Sequence, residues 1–326
     1  MEENMAVNNN GWKDKLRNKS FRDYFPIIFL VVMCIVFGMM NKRFFSWNNF
    51  TVILVQVVTL LVSGMGATFV IMTGSIDLSV GSVLAFSAVV TALTVPRFGV
   101  FAFIFAILAG ALCGLINGVV FAIGRVPSFI ATMGSLTALR GVVLILTQGV
   151  PIQINDEKFL TVFSGRSFFG IPNTAIFMVL IVIVSYIILE KTPFGKEARA
   201  IGGGERVAEL AGIKVVKTKV LVYMWAGTMF GIAGLLQSAR VLAATATLGE
   251  GFELDVIAAV VVGGTPLSGG VGGIGGTILG AFIIQILSNG MNMMGLSPYL
   301  QSIVKGCVLV LAVFISIDRT KKTETK

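Results

Sequence analysis

The sequence contains no histidine, which removes histidine-based catalysis, histidine ligation of zinc or haem, and a histidine proton relay. Its three cysteines, Cys34, Cys113 and Cys307, lie in apolar runs without short spacings. They read as small buried hydrophobes, and neither disulfide nor metal chemistry is supported. Charge is scarce too: 13% of the 326 residues are Asp, Glu, Lys or Arg, about half the share of a soluble domain. That is too little to coat a water-facing surface of this size. A Gly-Lys-Ser/Thr phosphate loop is also missing, so ATP-driven work would require an ATPase on another polypeptide. Paired carboxylates, a nucleophile elbow and a metal cluster are lacking as well, which leaves a membrane-embedded enzyme without machinery.

What the chain has is apolar length. Apolar residues make up 56% of the sequence, with a mean hydropathy of +0.92. They gather into ten segments at about 26–40, 51–72, 79–95, 98–124, 129–148, 173–190, 218–237, 253–264, 273–290 and 298–317. Runs near 20 residues are the mark of membrane-spanning helices. The fold class is therefore an all-α integral membrane protein of about ten spans. A cytoplasmic tail covers 1–25, a transmembrane domain 26–317 and a second cytoplasmic tail 318–326. The basic stretch before 26–40 could suggest a signal peptide, but no small-x-small cleavage site follows, and the segment reads as a retained first span. The segments 79–95 and 253–264 are short, and each adjoins a Gly-rich or polar break, as in transporter helices broken around a pathway.

Charge placement tests the count. The N-terminal tail, the stretch from Lys191 to Lys219 and the tail from Arg319 hold 16 of the 25 bases. If all three are cytoplasmic, even numbers of spans must separate them, and the reading gives six and four. Both termini then face the cytoplasm, and Lys42 and Arg43 fall outside. The excess of bases, net +9, serves topology rather than nucleic acid. Two five-span halves would start on opposite sides, so any internal repeat must be inverted. The polar breaks at 73–82 and 263–276 would nevertheless both face the cytoplasm.

The 38 glycines are ordered. Gly110, Gly114 and Gly118 repeat every four residues, as do Gly272, Gly276 and Gly280, and Gly227 pairs with Gly231. Small residues on one face let membrane helices approach closely, either within the chain or between two copies. Gly270-Val271-Gly272-Gly273-Ile274-Gly275 matches GxGxxG literally, but it opens an apolar segment and no acid near 295 could hold a ribose.

Ionisable residues within or against the spans are few: Asp77, Arg140, Glu253, Asp255 and Lys305. Each is costly at a helix centre and is expected to face water, a partner or a helix end. Asp77 or Ser79 either caps the helix that follows or lines a polar pathway. Asp255 suits a helix N-terminus, and Arg140 and Lys305 are expected to be paired or snorkelling. A neutral polar solute needs hydrogen-bonding groups, and Asn117, Thr132, Ser135, Thr137, Gln148, Gln285, Asn289, Asn292 and Gln301 offer them. We take Asp77, Ser79, Asn117, Thr137, Gln285 and Asn289 as the candidate translocation pathway. Carboxylates cluster at span ends, which disfavours a stand-alone ion-coupled carrier of a small polar solute, the alternative reading.

The stretch Lys191-Thr192-Pro193-Phe194-Gly195-Lys196-Glu197-Ala198-Arg199-Ala200-Ile201-Gly202-Gly203-Gly204-Glu205-Arg206-Val207-Ala208-Glu209-Leu210-Ala211-Gly212-Ile213 reads as two short helices broken at Gly202–Gly204. Its length and its alternation of Ala, Gly and charge suit a docking surface. It resembles the EAA-type coupling segment of bacterial ABC importer permeases, in the form found in the ribose and simple-sugar branch. Residues 73–82, 124–132, 251–265 and the region of Ile303-Val304-Lys305-Gly306 resemble that branch as well. The resemblance runs in order over nearly the whole chain. It implies a ten-span permease of the bacterial plasma membrane that works as a homodimer. It also implies a cytoplasmic ABC ATPase as partner and an extracytoplasmic sugar-binding protein that delivers ribose or a close relative. ATP would be hydrolysed by the partner, and this chain would bind no cofactor or metal of its own. Carried over by position, Gly195, Ala200, Gly202, Glu205, Ala208 and Gly212 would belong to the ATPase-contacting surface. Lys196 stands where the family commonly has Arg, keeping charge without the planar fork. Gly204 stands where it commonly has Asn, removing a side chain that could cap the next helix.

Overall fold

The computed structural model describes residues 21–167 and 170–316. The tail bases Lys13, Lys15, Arg17 and Lys19, and those from Arg319 onward, lie outside the described residues. Each of the ten apolar segments forms a helix: α1 (Phe21–Met40), α2 (Trp47–Met72), α3 (Val80–Phe98), α4 (Ala102–Ala122), α5 (Ser128–Thr147), α7 (Asn173–Lys191), α10 (Val215–Val241), α11 (Phe252–Val262), α12 (Ile274–Met293) and α13 (Pro298–Ser316). The charged stretch between α7 and α10 forms α8 (Pro193–Gly203) and α9 (Glu205–Leu210). Among the described residues, six stretches are long and apolar enough to cross a membrane; one of them, Val80–Ala122, holds both α3 and α4, turning at Gly99. The shorter apolar helices are Pro26–Met40 and Pro298–Phe314.

Helix α2 is the axle of the bundle. Ser46 caps it by accepting from the Asn49 N–H. Its 26 residues extend about 39 Å and are buried along most of their length. Around it pack α10, α12, α11 and α7. The closest helix pair is α4 against α10, where the expectation of tight packing within the chain holds. A Cβ on Gly110 would strike the backbone of Gly227 and Gly231, one on Gly114 that of Tyr223, and one on Gly118 that of Val220. The second stripe serves α11 in the same way: Gly276 lies on Gly263 and Gly280 on Ala259. These faces are filled within the chain, which removes them as contacts for a second copy.

Two departures from the sequence reading have physical causes. The segment read as 218–237 is a helix of 27 residues, 215–241, because nothing breaks helical geometry before Leu242, which takes a left-handed conformation. Residues 148–172 also carry structure of their own. Helix α6 (Glu157–Phe163) is capped by Asp156, whose Oδ1 accepts from the Phe159 N–H at 2.7 Å, and Phe159 and Phe163 pack with Phe103 and Phe177. Strands β2 (Arg166–Ser167) and β3 (Ile171–Pro172) pair as a hairpin. Strand β1 (Ile152–Gln153) pairs with β4 (Ala243–Ala244), tying this region to the segment after α10.

The irregular segments 242–251 and 263–273 are partly covered by the bundle, with Ala244 and Thr265 buried and Leu242, Thr247, Glu250 and Val271 exposed. At 11 residues, α11 is about 16 Å long, roughly half a hydrocarbon core. The segment 242–251 therefore folds back into the bundle, where Gly249 meets the backbone of Gly81 at the start of α3.

Candidate functional site

Three features were expected to carry function: the 191–217 segment, the helix breaks and a polar pathway. The first two are one assembly. Thr192 caps α8 by accepting from the Gly195 N–H, with Pro193 in the first turn, a favoured helix start. Gly195 presses against the backbone of Leu189, and Phe194 stacks on Phe69 of α2 with ring centroids 5.7 Å apart. Gly202 sits where a Cβ would overlap the Met72 carbonyl and the Gly270 nitrogen. The Gly270 N–H itself donates to the Met72 carbonyl at 2.9 Å. The end of α2, the glycine run before α12 and α8 thus meet backbone to backbone. The GxGxxG-like stretch is a packing element, as its sequence context implied.

The six residues carried over for the docking surface divide by exposure. Gly195 and Ala208 are buried and Gly202 is wedged between the breaks, so these shape the support; Ala200, Glu205 and Gly212 are exposed. The helix break falls at Gly204 alone, since Gly202 and Gly203 close α8, and α9 starts without a side-chain cap. The sequence reading missed Val207 and Leu210, which are 71% and 73% exposed on α9 beside the Arg206–Glu209 ion pair. Two apolar residues three apart in a charged loop were the available signal. Glu205 is held by Lys219 at 2.6 Å. The Lys219 ammonium also lies 4.7 Å from the Phe121 ring centroid, a cation–π distance. Phe121 packs on Tyr223, and the Tyr223 hydroxyl donates to the Ile76 carbonyl at 3.2 Å. A continuous set of contacts therefore runs from α9 to the 73–79 break.

In that break the N–H groups of Thr73, Gly74 and Ser75 donate back to carbonyls at the end of α2, and from Ile76 onward side chains take over. Asp77 Oδ1 accepts from the Ser79 N–H at 2.8 Å and the Ser79 hydroxyl at 2.6 Å, and Asn117 Nδ2 donates to Ser79 Oγ at 2.9 Å. The Ile76 and Leu78 N–H groups donate to Ser128 and Thr132. Asp77, Ser79 and Asn117 are brought together and buried at the start of α3, but the Ser79 side chain makes no cap bond to that helix and, among the described residues, Asp77 bonds only Ser79. Thr137 stands apart, exposed on α5 with its hydroxyl bonded back to Met133. Asn289 is buried and donates to Asn49 at 3.0 Å.

Of the six candidate pathway residues, Gln285 lines a polar cavity, one of several among the described residues. This cavity, of about 360 Å³, lies among α2, α3, α10, α11, α12 and α13 and the residues Gly249 and Glu250. Cross-helix pairs ring it: Gln285 with Gln56 at 2.7 Å, Thr59 with Gln237 at 2.8 Å, Gln301 with Asn292 at 2.7 Å, and Lys305 with Asp255 at 2.7 Å. The expected pairing of Lys305 and the helix-start position of Asp255 both hold. Arg140 is paired as well, donating to the carbonyls of Ala246 and Leu248 and so pinning the infolded segment. Arg240 enters the cavity wall through the extra turn of α10. Gln56 and Gln237 were overlooked in the sequence, although an amide inside an apolar span is itself a signal.

A helical membrane bundle with a half-open polar chamber, and broken helices resting on an exposed charged segment, defines the class of membrane permeases. Residues 49–313 match the family model described as the branched-chain amino acid transport system permease component, and the chain belongs to this ABC-type permease family. It is 42% identical over 299 residues to the ribose import permease protein RbsC of Bacillus subtilis, covering 91% of this chain and 92% of that one. It is 39% identical over 295 residues to RbsC of Escherichia coli K12, covering 89% and 92%. To the galactose/methyl galactoside import permease protein MglC of Haemophilus influenzae it is 33% identical over 334 residues, covering 95% and 98%. No solved structure matches the chain.

Proposed function

We propose that this chain is the membrane subunit of an ABC importer that moves a ribose-like monosaccharide across the bacterial plasma membrane. In this reading the ten apolar helices are ten membrane segments, and both termini are cytoplasmic. Two copies form the pathway, a separate ATPase docks on α8 and α9, and an extracytoplasmic binding protein delivers the sugar. Closure of the ATPases shifts α8, and the shift reaches the helix breaks that close one end of the pathway, giving alternating access. The observation that carries this reading is the junction of Gly202 with Met72 and Gly270, because a segment locked to both breaks cannot move without them. The sugar class is supported by the ribose and galactose import relatives. A second copy is supported by α5, whose apolar stretch is only 11% buried. There Gly134 and Gly141 face open space beside Thr137, a surface on which a helix could approach closely.

The test is uptake of labelled ribose into proteoliposomes holding this chain and its ATPase, with binding protein outside. Uptake that requires ATP enclosed in the vesicles, on the ATPase side, is expected. Uptake driven by a proton gradient, without the ATPase, would establish the ion-coupled carrier in its place.

A further inference from the structure

The chamber is more than a gap between helices. Its wall carries the side-chain amides of Gln56, Gln237, Gln285, Asn292 and Gln301, each both donor and acceptor. Its four formal charges cancel, with Arg240 and Lys305 set against Glu250 and Asp255. Arg240 Nε is shut off from solvent without a hydrogen-bond partner among the described residues. A polar wall inside an apolar bundle is costly when its groups lack partners. The volume of about 360 Å³ falls in the range of small-molecule pockets.

Each class of solute meets this wall differently. A phosphorylated sugar would face Glu250 and Asp255 and would gain from only half of the charges. A branched-chain amino acid would set an apolar side chain against amides and leave them unpaired. A sugar hydroxyl donates once and accepts twice, so it can take the place of one partner in Gln56–Gln285 or Thr59–Gln237 without leaving either group orphaned. We propose that the chamber is a binding site on the permease itself for an uncharged polyhydroxylated solute of monosaccharide size, which selects solutes independently of any delivering protein. Gln56 and Gln285 are its specificity-determining pair. The proposal rests on the permease reading but concerns recognition, which can fail while transport stands.

The experiment is equilibrium binding of labelled ribose to the purified full-length chain in lipid nanodiscs, with no ATPase or binding protein. Unlabelled galactose, ribose 5-phosphate and leucine serve as competitors. Saturable binding is expected, displaced by galactose and at least tenfold less well by ribose 5-phosphate and leucine. Gln285→Leu and the isosteric Gln285→Glu should each weaken ribose binding about tenfold in chains that elute as the native one does. Absence of saturable binding by both ribose and galactose, or leucine competing as well as ribose, overturns the proposal. If binding is absent while ATP-dependent uptake persists, the importer reading stands and this site does not.

Discussion

At the scale of single residues, glycine and amide side chains set what this bundle can do. Between α4 and α10 the only room for Gly114 is against the Tyr223 backbone, so the two helices touch main chain to main chain. Replacing Gly114 by Val must push them apart, and overpacking of this kind costs about 1–3 kcal/mol. The variant is expected to unfold at lower temperature in detergent, as followed by thermal-shift or size-exclusion assay, whereas Gly134→Val, facing open space, should leave the midpoint of the isolated chain unchanged. The repeat of Gly110, Gly114 and Gly118 was legible in the sequence because the period of a helix face is written into it. The partner face was not, since Gly227 and Gly231 find their mates only through the antiparallel run of α4 and α10. Similarly, Asp77 and Ser79 were visible as polar residues beside a short span, yet their company, Asn117, Ser128, Thr132 and Tyr223, comes from three other helices.

At the scale of elements, hydropathy identified every long helix because each buries or exposes an apolar surface along its whole length. It failed where an element is short or where a boundary lacks a breaker. Helix α6 is seven residues held by a cap and aromatic packing, too short for a periodic signal. The extension of α10 to Val241 carries Arg240 into the chamber wall, and no Gly or Pro marks that end. The helical segment 193–210 was readable from composition, but its outward face was not singled out. On α9, Val207 and Leu210 are the exposed apolar pair, of the kind that marks a protein contact. Val207→Asp with Leu210→Asp is expected to abolish co-purification of the ATPase with this chain. The permease should remain monodisperse, because neither side chain packs into the bundle. Retention of the ATPase at native stoichiometry by that variant would place the contact elsewhere.

At the scale of the whole molecule, the chamber and the segment of α8 and α9 are linked by two routes. One is the meeting of α8 with the ends of α2 and the run before α12, helices that also carry Gln56 and Gln285. The other passes from Glu205 through Lys219, Phe121 and Tyr223 to Ile76. Both breaks lie at one end of the bundle, so any inverted relation between halves must involve other segments. The neutral, amide-lined wall agrees with the scarcity of buried carboxylates evident from the sequence, while the members of that wall come from six helices that only the fold assembles.

The central claim is that movement of α8 is what moves the pathway. Sugar uptake and ATP hydrolysis recorded together in proteoliposomes test it directly, comparing the native chain with Gly202→Ala and Gly202→Leu at equal incorporation and ATPase content. The account predicts graded uncoupling: hydrolysis continues, while uptake per ATP falls for Ala and drops at least tenfold for Leu as the junction with Met72 and Gly270 is forced open. Native uptake per ATP in a folded, ATPase-bound Gly202→Leu transporter would contradict it.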